Sequence, residues 1–193
     1  MSPAASTRPA TPDDVGGISR IYRDVVLGSS ISFEEVPPDP KEMSKRMLAN
    51  PRLPWLVASV GDVVVGYAYA SRHRERAGYR WSAECSVYVD APFRARGIGR
   101  RLYEALIDEV ASLGYISLFA GIALPNAAST RLHASLGFES VGVFRAVGYK
   151  HGRWHDVAWL RRQLNEPPVS PLEPRAWDPA TAAVEGSRHP SPE

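Results

Sequence analysis

The segment Arg94-Ala95-Arg96-Gly97-Ile98-Gly99-Arg100-Arg101 constrains this chain more than any other, because of what stands on either side of it. Before it, Glu84 to Val89 (ECSVYV) reads as a strand. After it, Ile98, Leu102, Tyr103, Leu106, Ile107, Val110 and Leu113 keep the three-and-four spacing of a helix with one buried face, ending at Gly114. Glycines at a strand-to-helix junction let the backbone approach a ligand closely. The free N–H groups of a helix start, at the positive end of its dipole, favour a pyrophosphate. Arginines around them add forked phosphate binding. Taken alone, a single GxG is more often an ordinary basic loop. The third glycine of the dinucleotide fingerprint and the Gly-Lys-Ser/Thr of a P-loop are both missing, which points to a phosphorylated ligand other than a simple mononucleotide.

The rest of the chain supplies the surroundings. Thr11-Pro12-Asp13-Asp14 reads as a helix start with Thr11 as N-cap, and Val15, Ile18, Ile21, Tyr22, Val25 and Val26 form one apolar face. Asp39-Pro40 opens a second short helix that Pro51 and Pro54 end. WLVASV and VVVGYAYA, joined by Gly61-Asp62, predict a β-hairpin. The polar, aromatic stretch SRHRERAGYRW reads as a loop. Tyr115 to Ile122 reads as a strand, Asn126 as the cap of a helix over Ala127–Leu136, and FESVGVFRAVGY and DVAWLRRQL as the last strands. Seven of the 17 prolines fall in the last 29 residues, so the expected organisation is one domain over residues 6–164 and a Pro-rich, flexible tail over 165–193.

Composition excludes several classes. At 193 residues, 44% hydrophobic and 23% charged, the chain matches a single folded, soluble domain. No apolar run approaches the roughly 20 residues of a membrane helix, and MSPAASTRPAT lacks an apolar signal region, so a cytoplasmic protein with no membrane partner is expected. A net charge of +2 does not call for a nucleic acid. The single cysteine, Cys85, forbids an internal disulfide and a cysteine-cluster metal site. His151 and His155 have a spacing that on a helix would suggest zinc, but Gly152 opposes a helix there and no third ligand is evident, so no metal is expected.

RxxGxG after a VYV strand, followed by Asn126-x6-His133-x3-Gly137-Phe138, resembles the Gcn5-related N-acetyltransferase (GNAT) superfamily. Within it, PWLVASV, YRWSAECSVYVDAPFRARGIG, ALPNAASTRLHASLGF and RAVGYKHGRWHDVAW are similar to the phosphinothricin and methionine sulfoximine N-acetyltransferases over nearly the whole domain. The resemblance implies an α/β (α+β) fold: a mixed, mostly antiparallel sheet with a splayed central strand pair and flanking helices. It implies acetyl-CoA in the splay, its pantetheine arm on the backbone of Val87, Tyr88 and Val89, and its pyrophosphate on the segment of Arg94, Arg96, Gly97, Ile98, Gly99, Arg100 and Arg101. Asn126 would lie near the thioester half. It implies a small amino-acid substrate and a homodimer.

Carried over by position, the resemblance makes Glu84 the catalytic carboxylate and His133 an active-site histidine. Phe33, Arg74, Arg76, Tyr79, Ser86, Tyr88 and Val157 fall on positions lining the amino-acid pocket. Arg74 stands where lysine is frequent and Ser86 where threonine is, which bears on substrate preference more than on the reaction. The chemistry is compatible: an amine must lose a proton before attacking a thioester, and a carboxylate at a strand start can take it. Glu84 read alone is more often a surface glutamate in a salt bridge. His133 can act as acid, base or substrate ligand. Arg74 and Arg76 can fork onto a carboxylate and a phosphinate, and Phe33, Tyr79, Trp81 and Tyr88 can wall the pocket. Two rival readings are ping-pong transfer through Cys85 and a non-catalytic acyl-CoA-binding module. Another small amino acid or amine is the alternative substrate.

Overall fold

Alternating apolar residues and short turns lay the chain out as one twisted sheet with helices on both faces. The computed structural model describes residues 5–182. Its strands are β1 (Ser6–Pro9), β2 (Trp55–Val60), β3 (Val63–Arg72), β4 (Ser82–Val89), β5 (Ser117–Ala123), β6 (Glu139–Lys150) and β7 (Arg153–Gln163). They lie in the order β1-β2-β3-β4-β5-β7-β6, antiparallel except for the β4/β5 pair. The helices are α1 (Val15–Gly28), α2 (Pro40–Ala49), α3 (Ile98–Ser112) and α4 (Ala127–Ser135). The β2/β3 hairpin turns at Gly61-Asp62 as the sequence predicts, with Gly61 at φ +57.

Each sheet face buries its own cluster. Against one face α3 sets Ile98, Leu102, Tyr103, Leu106 and Val110 on Val65, Ala68, Ala83, Cys85 and Leu118. Against the other, α1 and α2 set Ile18, Ile21, Tyr22 and Met43 on Trp55, Val57, Val64 and Tyr67. Each buried Val, Leu, Ile or Met side chain among them contributes roughly 1.5–3 kcal/mol by leaving water. The helices approach closely where side chains are small: a Cβ on Gly17 would lie 2.7 Å from Val64 Cβ.

Several local details differ from the expectations. Residues Ser6–Pro9, ahead of the first expected element, form an edge strand on β2, too short for its alternation to show. The first helix opens with one tight 3-10 turn, Pro12–Asp14, before α1 begins. The Thr11 N–H donates to Asp14 at 2.8 Å and its hydroxyl at 3.0 Å. β7 starts at Arg153, earlier than expected, because His151 and Gly152, both at positive φ, make a tight β6/β7 turn. His151 and His155 therefore lie on a hairpin, and the buried His155 bonds the Lys150 carbonyl.

Beyond β7 the proline-rich segment runs back along the domain as far as it is described. Asn165 donates to the carbonyls of Ala111 and Tyr115, and Trp177 packs on the α3-side core with its indole N–H on Glu109. Arg80 pairs with Glu173, and the Trp81 indole donates to the Leu172 carbonyl. The last part of the expected tail, 183–193, lies outside the described residues. Among the described residues no helix is long and apolar enough to cross a membrane.

The feature that positions the site is the brevity of the β4/β5 pairing. It runs from Ser82↔Ser117 to Glu84↔Phe119 and stops. β4 then stays with β3 as far as Val89, whereas β5 stays with β7 as far as Ala123. The strands diverge, so from Cys85 to Val89 the side of β4 toward β5 has no strand partner. Unpaired backbone N–H and C=O groups inside a sheet need a ligand or water.

Candidate active site

The splay opens into a groove of about 590 Å³ lined by Val87, Tyr88 and Val89 of β4, by Arg94, Gly97, Ile98, Gly99 and Arg100, and by Asn126, Ser129, Arg131 and Leu132 at α4. Gly97, at φ +75, turns the chain into α3, a conformation that glycine alone adopts without cost. The first N–H groups of α3 have no carbonyl one turn back within the helix. A Cβ on Gly99 would sit 3.6 Å from Leu132 and Val89 across the groove. Orphaned amides, three lining arginines and the bare β4 backbone fit a long phosphorylated ligand with an amide-rich arm. Of the expected cofactor positions, Arg96 and Arg101 do not line the groove. Arg96 lies over the Phe93 ring at 5.4 Å, and Arg101 Nη1 would be 3.6 Å from a Cβ on Gly97. Asn126 caps α4, accepting from the Ser129 N–H at 3.1 Å.

Glu84 stands where the splay begins, and strand alternation puts Glu84, Ser86 and Tyr88 on the α1/α2 face. Opposite them on β3 are Ser71, Tyr69 and Tyr67. Tyr67, Tyr69 and Trp55 stack, with Trp55 and Tyr69 at 4.2 Å, and Tyr88 meets Tyr67 at 5.2 Å and Tyr22 at 5.3 Å. Tyr22, Trp55, Tyr67 and Tyr69, with Met43, Arg46 and Ser71, line a cavity of about 540 Å³, and Tyr88 lines the groove instead. Burial raises the phenols of Tyr67, Tyr69 and Tyr88, and that of Tyr22 to about 12, so all stay neutral. Arg46 is held by Glu34 at 2.7 Å. The sequence reading missed this wall, although the alternation of VVVGYAYA put Tyr67 and Tyr69 on one face.

The Glu84 carboxylate, 28% exposed, has two donors on one oxygen. Oε1 lies 2.9 Å from His73 Nδ1 and 3.3 Å from Arg74 Nη1. His73, absent from the sequence prediction, stacks on Phe119 at 4.3 Å and meets the edges of Tyr79 and Trp159. The Arg74 guanidinium lies 5.8 Å over Trp159. Arg74, Arg76 and Tyr79 line a neighbouring cavity of about 340 Å³ that shares Asn50, Arg72 and Glu75 with the aromatic one. Phe33 lies on the β6/β7 hairpin against Gly148 and His155, and Val157 faces Gly121 on β5. Trp81, expected in the pocket wall, turns instead to the C-terminal segment, where the Leu172 carbonyl satisfies its N–H.

The structure does not bring His133 to Glu84. His133 is 2% exposed and sits on the α3 side of the sheet. Its Nδ1 meets the Ser129 carbonyl at 2.8 Å, and its Nε2 meets the Tyr103 hydroxyl at 3.2 Å. A carbonyl can only accept, so the proton belongs on Nδ1, and the Tyr103 hydroxyl donates to Nε2. Burial lowers the His133 pKa and favours the neutral ring. Tyr103 also contacts the Cys85 thiol, which burial pushes up to about 12.

Comparison with known proteins matches this geometry. Residues 8–159 match the acetyltransferase (GNAT) domain model. The chain is 39% identical over 169 residues to the phosphinothricin N-acetyltransferase of Streptomyces viridochromogenes, covering 86% of this chain and 92% of that one. It is 37% identical over 155 residues to the L-methionine sulfoximine/L-methionine sulfone acetyltransferase of Salmonella typhimurium, covering 79% and 91%. Its fold superposes on the crystal structure of a GNAT superfamily phosphinothricin acetyltransferase from Sinorhizobium meliloti in complex with acetyl-CoA, with a TM-score of 0.84 at 38% identity, covering 90% and 95%.

Proposed function

This chain belongs to the GNAT family of N-acetyltransferases, and from that premise we propose that it acetylates the α-amino group of phosphinothricin-like amino acids, phosphinothricin and methionine sulfoximine among them. The observation that carries this reading is the adjacency of two sites at one point of the sheet. The aromatic cavity reaches Ser71, the β3 partner of Glu84, and the phosphate-binding groove begins at Val87, three residues along β4 from Glu84.

The groove residues Val87, Tyr88, Val89, Gly97, Gly99, Arg94 and Arg100 would hold acetyl-CoA, with Asn126 near its thioester half. Acetyl-CoA supplies the activated acyl carbon. Glu84 takes a proton from the substrate ammonium; the freed amine attacks that carbon, a C–N bond forms, the C–S bond breaks, and CoA leaves as its thiol once protonated. Arg74, Arg76 and Tyr79 hold the acidic end of the amino acid, and Ser86, Tyr88, Phe33 and Val157 line its side chain. His133, neutral and buried, orients Tyr103 beneath β4. The high thiol pKa of Cys85 favours direct attack over an acetyl-cysteine, so Cys85→Ala should keep full activity.

The test is CoA release from acetyl-CoA with phosphinothricin, methionine sulfoximine, ordinary amino acids and a peptide amine side by side. Saturable turnover confined to the first two supports the reading; turnover only on the others overturns the substrate while leaving the chemistry. Glu84→Gln should lower kcat at neutral pH by at least about 100-fold with acetyl-CoA binding intact. Unchanged turnover would remove Glu84 as the base.

A homodimer is part of the same proposal. β6 is an edge strand, and Val141, Val143, Phe144, Val147 and Tyr149, with Trp154 on β7, expose a broad apolar face. A second copy would cover it; a monomer mass at micromolar concentration would reject this. We place the enzyme in the cytoplasm, consistent with Cys85 as a free thiol.

A further inference from the structure

Glu84 is held asymmetrically. His73 Nδ1 and Arg74 Nη1 both engage Oε1, while Oε2 has no partner among the described residues. A carboxylate only accepts, so the proton of the His73–Glu84 bond sits on His73 Nδ1. Little freedom remains for that donor. His73 follows the last residue of β3, its side chain is 12% exposed, and its ring is clamped flat on Phe119, the β5 residue in register with Glu84. The edges of Tyr79 and Trp159 close in from the side. Arg74, by contrast, is half exposed and divides its guanidinium between the His73 carbonyl, Glu84 and the Trp159 face.

From this we infer that His73 is a positioning residue for the base: it fixes the Glu84 carboxylate with Oε2 as the proton-accepting atom. The inference rests on the reading of Glu84 as general base. The rigid stack makes His73 the orienting donor, and Arg74 supplies charge. The titratable or charged groups facing His73 are Glu84 from β4, with Arg74 and Tyr79 from the 73–81 loop; Phe119 and Trp159 carry no charge.

Two substitutions separate the donor from the ring. His73→Phe keeps a flat ring for Phe119 and removes the N–H; His73→Asn places an amide N–H near the Nδ1 position and removes the stack. With each substrate varied in turn, His73→Phe should lower kcat at least about tenfold with little change in either KM. His73→Asn should recover kcat to within about threefold of the parent protein. Thermal melts of both variants show whether folding is the cause. The inference is overturned if His73→Phe keeps its kcat, or if His73→Asn falls as far as His73→Phe. Glu84→Gln, assayed alongside, separates the two ideas: an active Glu84→Gln rejects the base itself, whereas an inactive one beside an unaffected His73→Phe rejects only the role of His73.

Discussion

Gly148→Ala places one methyl group against one functional ring. Gly148 lies on β6 under Phe33, and a Cβ there would sit 2.3 Å from Phe33 Cζ and 2.5 and 2.6 Å from the two Cε atoms. Carbon atoms rest no closer than about 3.5 Å, so the ring has to retreat by roughly 1 Å or more. The backbone beneath is fixed. The Lys150 ammonium, two residues on, donates to the Val26 carbonyl at 2.6 Å and the Ser32 carbonyl at 2.7 Å, tying the hairpin to the end of α1 and to the residue before Phe33. The ring therefore swings while the chain stays. Overpacking costs about 1–3 kcal/mol in a closed core; a half-buried side chain free to rotate should cost near 1 kcal/mol, a fall in melting temperature of about 2–4 °C. If Phe33 walls the amino-acid pocket, the loss of its contact should raise KM for the amino acid about fivefold, equivalent to about 1 kcal/mol. KM for acetyl-CoA should stay constant. Steady-state kinetics with each substrate varied in turn decide it. An unchanged amino-acid KM together with the lowered melting temperature would show that Phe33 serves the hairpin and not the pocket.

Two further outcomes follow from other parts of the fold. Burial alone would push the Asp14 carboxyl up, but hydrogen bonds from Arg8 and from the N–H and hydroxyl of Thr11 outweigh it and hold the group below its usual value. A carboxyl depressed in the folded state stabilises above its unfolded pKa of about 3.9 and loses that contribution as pH falls through the folded value. Asp14→Ala should therefore cost about 1–2 kcal/mol at pH 7 and progressively less below about pH 4; urea midpoints with a constant difference at both pH values would contradict this. Trp177→Ala removes a half-buried indole and its bond to Glu109 and should cost about 1–3 kcal/mol. An unchanged melting curve would mean that the C-terminal segment does not hold to the domain in solution.

What the sequence made legible is what has a local period or a short motif. The β2/β3 hairpin announced itself through Gly61-Asp62, α3 through its spacing, and the turn into α3 through the glycines ahead of it. Asp39 caps α2 through the Glu42 N–H as its Asp-Pro signature predicts. Contacts between residues distant in sequence were not legible. His73 reaches Glu84 because β3 ends at Arg72 in register with Ala83, a fact of pairing and not of composition. Trp81 looked like pocket lining because it is aromatic and close to Tyr79, yet its indole is satisfied by a carbonyl 91 residues away. Asn126-x6-His133-x3-Gly137-Phe138 marked α4 and one wall of the imidazole correctly, but the other wall, Tyr103, comes from α3.

The divergence of β4 from β5 makes the sheet incomplete at its centre, and that has a cost in local stability. The amides of Val87 to Val89 that point away from β3 can close a ring of hydrogen bonds only with something that is not protein. In the free protein these amides should exchange with solvent deuterium faster than their neighbours paired to β3, and saturation with CoA should slow them selectively. The seam at which the sheet opens most readily is then the one that its ligand closes, so occupancy of the groove and resistance to unfolding rise together.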